Sequence, residues 1–467
     1  MRHALLLLTP LTLAAPLAPL GAQALTAAER TAIDSTARAV LTHTGAPSAS
    51  IAVVRGARIV YEQAYGTARR APDVPATSAM RYAIGSVSKQ MTATAVLMLA
   101  DEGKLSLDDP VAKWYPALTR AKDITLRHLL SMTSGYQDYW PQDYVLPDMQ
   151  RPVTMDSVIR RWAAKPLDFA PGAQWQYSNT NYMLAGLIVE RVSGQPFAEF
   201  LRQRIFTKLG MTSVVDIDAA PLGTADAQRL LRHAVGPLHE APKEATGWLF
   251  GAGQWAMTAH DLALWDIGMI RQQLVSPAAY RAQQSDTRLT SGLATGYGLG
   301  IFVGRQYGHR RLEHGGAVSG YTTSNNVYPD DSIAVVVYTN IYPGGADAPA
   351  EIARGIAAVL FSGTSAAATA ALADAKRVYE GLRMGTIDRA RLTPAANAFF
   401  TDDVLRDYKA SLGALGAPTS FTRAGETLRG GLVIRNYAIR AGGLTLDLSI
   451  MATADGTFDQ VIVSRVN

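Results

Sequence analysis

None of the 467 residues is a cysteine. No disulfide can staple the fold, thiol catalysis and cysteine-ligated metal sites are excluded, and no lipid-bearing cysteine can follow a leader peptide. Other signatures are missing as well. No His-Glu-x-x-His pair suits a zinc ion, no Walker-type loop cradles a phosphate, and Gly298-Leu299-Gly300 lacks the rest of a dinucleotide fingerprint. No serine sits in a Gly-x-Ser-x-Gly elbow, so an α/β-hydrolase reading has no nucleophile. Nothing calls for a metal or an organic cofactor. Charge is not clustered either: 44 Lys and Arg against 39 Asp and Glu leave a net +5, and the basic residues, mostly arginines, are scattered. That scatter argues against a nucleic-acid groove and for a mild attraction to anionic surfaces such as a cell envelope.

Long apolar runs are equally scarce, and the one that exists is at the N-terminus. Arg2 precedes Ala4-Leu5-Leu6-Leu7-Leu8, and a proline-broken stretch ends at Ala22-Gln23-Ala24. A positive start, an apolar centre and an A-x-A site predict a signal peptide over residues 1–24, cleaved after Ala24. The mature protein is then exported, periplasmic or extracellular. Pro10, Pro16 and Pro19 break the helix that a retained anchor would need, so an integral membrane protein is not expected.

The length suggests two or three domains, and no repeat at a solenoid period is present. Ala27–Leu41 reads as an amphipathic helix, and Ser50–Val54 with Ile59–Tyr65 as a hairpin turning at Arg55-Gly56. From Ser86 to about Ile270 the pattern is mostly helical. Strand patterns return at Tyr297–Val303, Arg311–His314, Thr322–Tyr328 and Ser332–Tyr338, and a helix follows over Ala350–Leu360, with Pro349 at its start. Strands from both ends around a helical middle predict an α+β fold: one antiparallel sheet flanked by helices, with an inserted helical subdomain. Residues 362–373 are small and read as a linker or as the start of a helix. Residues 374–467 read as a small C-terminal α+β domain, with strands at Gly431–Ile439, Leu444–Ile450 and Gln460–Val463.

The chemistry begins at Ser86-Val87-Ser88-Lys89. Met91, Ala95, Val96, Leu99 and Ala100 recur at helical spacing behind it until Gly103 stops them. Ser86 is thus placed at a helix start with Lys89 one turn on, their Cβ atoms about 5–6 Å apart. A serine hydroxyl needs a base to become a nucleophile, and Lys89 can be that base or tune one. The Ser86 N–H, a first-turn donor, can hold an oxyanion with help from the positive helix end. The same four residues also fit a solvated helix start, with Ser86 a plain N-cap.

Two later stretches separate these readings: Phe169-Ala170-Pro171-Gly172 running to Tyr177-Ser178-Asn179, and Glu313-His314-Gly315-Gly316-Ala317. With these boxes in order the chain resembles the serine β-lactamase and penicillin-binding-protein superfamily, in particular its esterase, D-aminopeptidase and class C β-lactamase branch. His128–Gly135, Lys208–Thr212, Gly251–Trp255 and Tyr297–Gly300 match as flanks, and the likeness runs from about Thr26 to about Leu360. It implies the β-lactamase/transpeptidase-like fold, with the site in the cleft between sheet and helices, over a hydrolase domain of residues 25–361. The C-terminal domain is only faintly similar to cone-shaped nuclear-transport-factor-like domains.

The resemblance assigns an acyl-enzyme to Ser86 and proton transfer to Lys89 and Tyr177. A free phenol titrates near 10, and a Lys89 cation beside Tyr177 is expected to lower that. Asn179 would bond Lys89 and a substrate carbonyl, or simply cap its helix. His314 stands where β-lactamases carry a lysine, as in D-aminopeptidases and some esterases, and would support Tyr177 or the substrate. Gly315 and Gly316 let backbone and ligand approach closely, and the Ala317 N–H would join Ser86 as oxyanion donor. Tyr136, Tyr139, Trp140 and Tyr144 form an aromatic loop that either walls an apolar pocket or packs on itself. The expected partner is a small-molecule or peptide substrate: an ester, a D-aminoacyl amide or peptide, or, in the alternative, a β-lactam or D-Ala-D-Ala stem peptide. A non-catalytic relative that kept the cleft is the reading from outside enzymology.

Overall fold

The computed structural model describes residues 24–466 apart from 143, 346, 362–365, 430, 431 and 454. The signal peptide expected over residues 1–24 lies outside them except for Ala24. Helix α1 (Ala27–Thr44) starts where Thr26 and Glu29 form a reciprocal capping box and stops at Gly45, whose φ of 68° only glycine adopts at little cost. The chain then enters strands β1 (Ser48–Arg55), β2 (Arg58–Arg69) and β3 (Val74–Pro75). After the helical middle come β4 (Phe302–Gln306), β5 (His309–Val318), β6 (Tyr321–Tyr328) and β7 (Ile333–Thr339). They form one antiparallel sheet in the order β3-β2-β1-β7-β6-β5-β4.

β1 and β7 lie side by side at its centre, Ile51 facing Val337 and Val53 facing Val335. Both strands are buried on both faces and are apolar nearly throughout, as a covered strand must be. Alternation then shares them between two cores. Ile51, Val53, Val335 and Val337 pack under α1 and the later helix α5 (Ala348–Phe361). Ala52, Val54, Ala334 and Val336 face the other way, into the larger core of the helical region. That region is centred on α2 (Ser88–Asp101), α3 (Asn179–Ser193) and α4 (Ala259–Ile270). α2 is buried from Ser88 to Leu99 without a gap. It is a core helix and not the surface one that amphipathic spacing suggests.

Two expectations need correction. Tyr297–Ile301 is not strand; the strand begins at Phe302. Gly300 turns this segment at φ 79°, and its N–H reaches Leu130 O at 3.1 Å, so the backbone satisfies itself against the helical region instead of a sheet edge. Residues 362–373 are helical from Ala366 on, in α6 (Ala366–Met384), because an alanine run favours helix over linker. After α6 and α7 (Asp402–Gly413), strands β8 (Ser420–Arg429), β9 (Leu432–Ala441), β10 (Leu444–Ala452) and β11 (Phe458–Arg465) form an antiparallel meander. Its core, with Tyr379, Leu405, Ile439 and Leu448, is separate from the other two. Among the described residues no helix is long and apolar enough to cross a membrane.

β5 touches the helical region where Gly316 meets the turn ahead of α2. A Cβ on Gly316 would lie 1.9 Å from the Ile84 carbonyl oxygen, whereas one on Gly315 would meet nothing nearer than Thr323 O at 3.7 Å. Gly316→Ala is therefore expected to destabilise the fold by about 1–3 kcal/mol or more, as overpacking does. Gly315→Ala should stay within about 0.5 kcal/mol. Urea unfolding of the two variants checks this, and equal midpoints would contradict it.

Candidate active site

Ser86 lies in a single 3-10 turn, Gly85–Val87, and α2 proper begins at Ser88. The turn is pinned from behind: Ile84 N–H donates to Trp255 O at 2.9 Å. Gly85 (φ 50°) leaves no room for a side chain, since a Cβ there would come within 2.7 Å of Ala317 N. The backbone amides at Ser86 and Ala317 are thus brought together from two distant parts of the chain. Gly316 is crowded by Ile84, as described, while Gly315 is exposed and open to the cleft.

Lys89 is fully buried, and its Nζ has three neutral acceptors: Ser86 Oγ at 2.9 Å, Asn179 Oδ1 at 2.8 Å and Ala252 O at 2.8 Å. Burial disfavours the ammonium, and with no carboxylate in contact the amine is pushed down to about 7. The Coulombic pull of Asp138 opposes that fall without cancelling it.

Tyr177 stands on the loop before α3, which Gly172 turns at φ 77° and which hangs on Met132 and Thr133 through Gln176 N–H and Gly172 N–H, at 3.0 and 2.8 Å. The Ser86 hydroxyl is the neighbour that favours its phenolate form. The expectation that Lys89 would lower this phenol is overturned: burial pushes it well up, and Ser86 only partly opposes that. Desolvation penalises charge on both Tyr177 and Lys89: the phenol stays protonated, and the amine gives up its proton near 7. Lys89 Nζ lies 4.9 Å from the centre of the Tyr177 ring.

Asn179 is the first residue of α3, and its side chain is committed to Lys89 and Asp138, not to capping. Asp138 accepts the Asn179 N–H at 2.9 Å through Oδ1 and the Asn179 Nδ2 at 3.2 Å through Oδ2.

His314, on β5, is 2 % exposed and hydrogen-bonds Tyr297 Oη through Nε2 at 3.1 Å and Gly315 O through Nδ1 at 2.6 Å. A carbonyl only accepts, so Nδ1 carries the proton and Nε2 accepts from the tyrosine. Burial first, then the neighbouring Lys89, push the imidazole down to about 3, and it is neutral. Of the two roles expected of it, support of Tyr177 or of the substrate, a hydrogen bond to Tyr177 is not among its contacts. The two rings face each other with centroids 6.2 Å apart.

A cleft of about 780 Å³ joins these groups, with Ser86, Tyr177, Asn179, His314 and Ala317 on its wall. Tyr139 and Trp140 line it too, and the Tyr139 hydroxyl donates to Trp248 O. Tyr136 does not: it is 2 % exposed, inside the core, because the loop turns in at Gly135. Tyr144, 61 % exposed, borders a neighbouring cavity of about 510 Å³ that also touches Trp140. Among the described residues no group of three or more His, Asp or Glu side chains is placed to hold a metal ion.

Two participants escaped the sequence reading. Asp138 sits inside the aromatic loop, where only the rings drew notice. Tyr297 reads in the sequence only as the start of a strand and of a matched flank. In fact it is buried and packs on Trp175 and Phe302 around His314.

The matches with known proteins agree with this geometry. The Beta-lactamase family model covers residues 33–360. A penicillin-binding protein of Bacillus subtilis (strain 168) is 26 % identical over 311 residues, 62 % of this chain and 67 % of that protein. A D-aminopeptidase of Brucella anthropi is 26 % identical over 331 residues, 68 % of this chain and 60 % of that enzyme. The crystal structure of the D-amino acid amidase of Ochrobactrum anthropi SV3 superposes with a TM-score of 0.65 at 20 % identity, over 72 % of this chain and 99 % of the amidase. The mixed helix and antiparallel sheet architecture is the β-lactamase/transpeptidase-like one. With the family model spanning well over half of its length, this chain belongs to the Beta-lactamase family of serine hydrolases.

Proposed function

We propose that the protein is an exported hydrolase that forms an acyl-enzyme on Ser86 and releases it with water, acting on esters or D-aminoacyl amides. The observation that carries this reading is the buried Lys89 amine, close to neutrality, 2.9 Å from Ser86 Oγ. Lys89 takes the Ser86 proton as Oγ attacks the substrate carbonyl, and the Ser86 and Ala317 amides hold the oxyanion that forms. The neutral Tyr177 phenol then passes a proton to the leaving group and recovers it from Lys89. Water repeats the sequence on the acyl carbonyl. His314 stays neutral throughout, held beside Tyr177 by its bonds to Tyr297 and the Gly315 carbonyl, and supports Tyr177 or the substrate. By the same reading the hydrolase domain is residues 25–361, and residues 374–467 supply no side chain to the cleft.

The choice of substrate rests on charge. The charged side chains on the cleft wall are Asp138 and Glu313, the latter paired with Arg311 at 2.8 Å; no Lys or Arg is among the described lining residues. A β-lactam or a D-Ala-D-Ala peptide brings a carboxylate, which meets no cation where β-lactamases offer a lysine. A D-aminoacyl amide brings an ammonium, and an aryl ester brings no charge. Relatives named as D-aminopeptidases favour the same side.

Mass spectrometry after fluorophosphonate treatment should find one adduct, on Ser86, and Ser86→Ala should lose both adduct and turnover while remaining folded. An unlabelled but folded wild type would sink the acyl-enzyme reading in favour of a binding module. In a panel of an aryl ester, a D-alanyl anilide, a D-Ala-D-Ala peptide and a cephalosporin, kcat/KM should be highest for the first two. A cephalosporin ahead of every ester and amide would reverse that choice.

The pH profile follows from which group must be neutral. Lys89 works as the free amine, so kcat/KM should rise with pH through a limb near 7. His314, already neutral above about 3, cannot carry that limb. His314→Gln should therefore leave the limb in place while lowering the rate, and loss of the limb in that variant would contradict the assignment.

A further inference from the structure

We infer that Asp138 is a positioning residue for the Ser86–Lys89 pair, acting through the side-chain amide of Asn179. This rests on the reading of Lys89 as base. An amide side chain has a donor end and an acceptor end, and nothing in its shape fixes which end faces which way. Here the ends are told apart by what they meet. Asp138 Oδ2 can only accept, and it takes Asn179 Nδ2 at 3.2 Å; the oxygen end is then turned to Lys89 Nζ at 2.8 Å. Asp138 Oδ1 holds the backbone of the same residue through Asn179 N–H at 2.9 Å, and it also takes Trp140 N–H at 3.1 Å. One carboxylate thus fixes both the start of α3 and the rotation of the amide in front of the base.

The charge of Asp138 has one cationic group to act on. Among the described residues no Lys, Arg or His nitrogen lies within ion-pair distance of it. Lys89 faces Ser86, Asn179 and the Ala252 carbonyl directly, with the rings of Tyr177 and Tyr182 at 4.9 and 5.7 Å and His314 nearby. The phenols of Tyr177 and Tyr182, like that of Tyr139 next to Asp138, are held protonated by burial, and His314 is neutral. Asp138 is the acidic group of this set: burial raises its carboxyl above the ordinary value, and the N–H bonds from Trp140 and Asn179, with the pull of Lys89, oppose that rise. A negative charge one amide away favours the ammonium form of Lys89, so it sets how far burial can lower that amine. Without it Lys89 would lose its proton more easily but would also lose the acceptor that aims it at Ser86.

Asp138→Asn keeps size and one acceptor but puts an NH₂ against Asn179 Nδ2. Two donors then face each other, and the Asn179 amide must turn its own NH₂ towards Lys89. The test reads the rate at which a fluorophosphonate labels Ser86 as a function of pH. In Asp138→Asn the plateau rate should fall by about 10- to 100-fold, within the range general bases contribute. Its acid limb should move to lower pH by roughly half a unit to one unit, the sign expected when a nearby negative charge is removed. A residue that merely supported the loop would lower the rate and leave the limb alone. Because the effect runs through Asn179, adding Asp138→Asn to Asn179→Ala should change the rate by less than about two-fold. A limb that does not move, or single effects that multiply in the double variant, would overturn the inference. Should Asp138→Asn fail to fold, Asp138→Glu is read in its place: its limb should stay near that of the wild type, and a displaced limb would overturn the inference. A wild type that takes no label at all would instead remove the reading of Lys89 on which it rests.

Discussion

Everything distinctive about the cleft depends on one lysine being taken out of water. An exposed ammonium titrates near 10.5 and is no base at neutral pH. Lys89 is enclosed by α2, the start of α3 and the 252 carbonyl, and the three atoms it touches accept hydrogen bonds without bringing a negative charge. Burial then works against the charged form by several kcal/mol, the scale of a move from 10.5 to about 7. The same dry surroundings keep Tyr177 a phenol and His314 an uncharged imidazole. The shift of all three groups towards the uncharged form has one cause.

That burial is a property of the fold's seam. The sheet contributes β5, the helical region contributes the turn at Ser86, and they meet so closely that Gly85 and Gly316 have no space for a methyl group. Each wall of the contact brings one of the two amides, Ser86 from the turn and Ala317 from β5, and the side chains of Ser86 and Lys89 stand on the helical side. The aromatic packing of Trp175, Tyr297 and Phe302 closes the third side around His314.

The layout was legible in the sequence because it depends on local patterning. The hairpin at Arg55-Gly56, the run of strands after Phe302 and the helix beginning around Pro349 stand within a few residues of where alternation and turn residues put them. Spacing brought Ser86 and Lys89 together, and the order of boxes brought in Tyr177, Asn179 and His314. What spacing cannot carry is environment. Tyr177 was expected to be acidified by a cation, yet whether Lys89 is a cation is decided by burial among residues from four separate stretches. Tyr136 and Tyr139 look alike in a string of aromatics, and both are buried in the same core, yet only Tyr139 also borders the cleft. Asp138 was hidden for the same reason: an acid in a loop reads as solvated until α3 is seen to start against it.

The central pairing of β1 with β7 also bears on how the chain can be made. Ala49 faces Thr339, so the first strand-forming segment to be synthesised finds its central neighbour only when nearly three quarters of the chain exists. Until then the β1–β2 hairpin carries an unpaired edge with apolar residues on both faces, the kind of surface that joins other chains. β5, with Gly316, pairs in turn with β6, which pairs with β7. The seam at Ser86 is therefore assembled last, by contacts of long sequence separation that fold slowly. A chain cut short between Asn179 and β7 holds every residue of the Ser86 and Tyr177 boxes and still has no cleft to put them in.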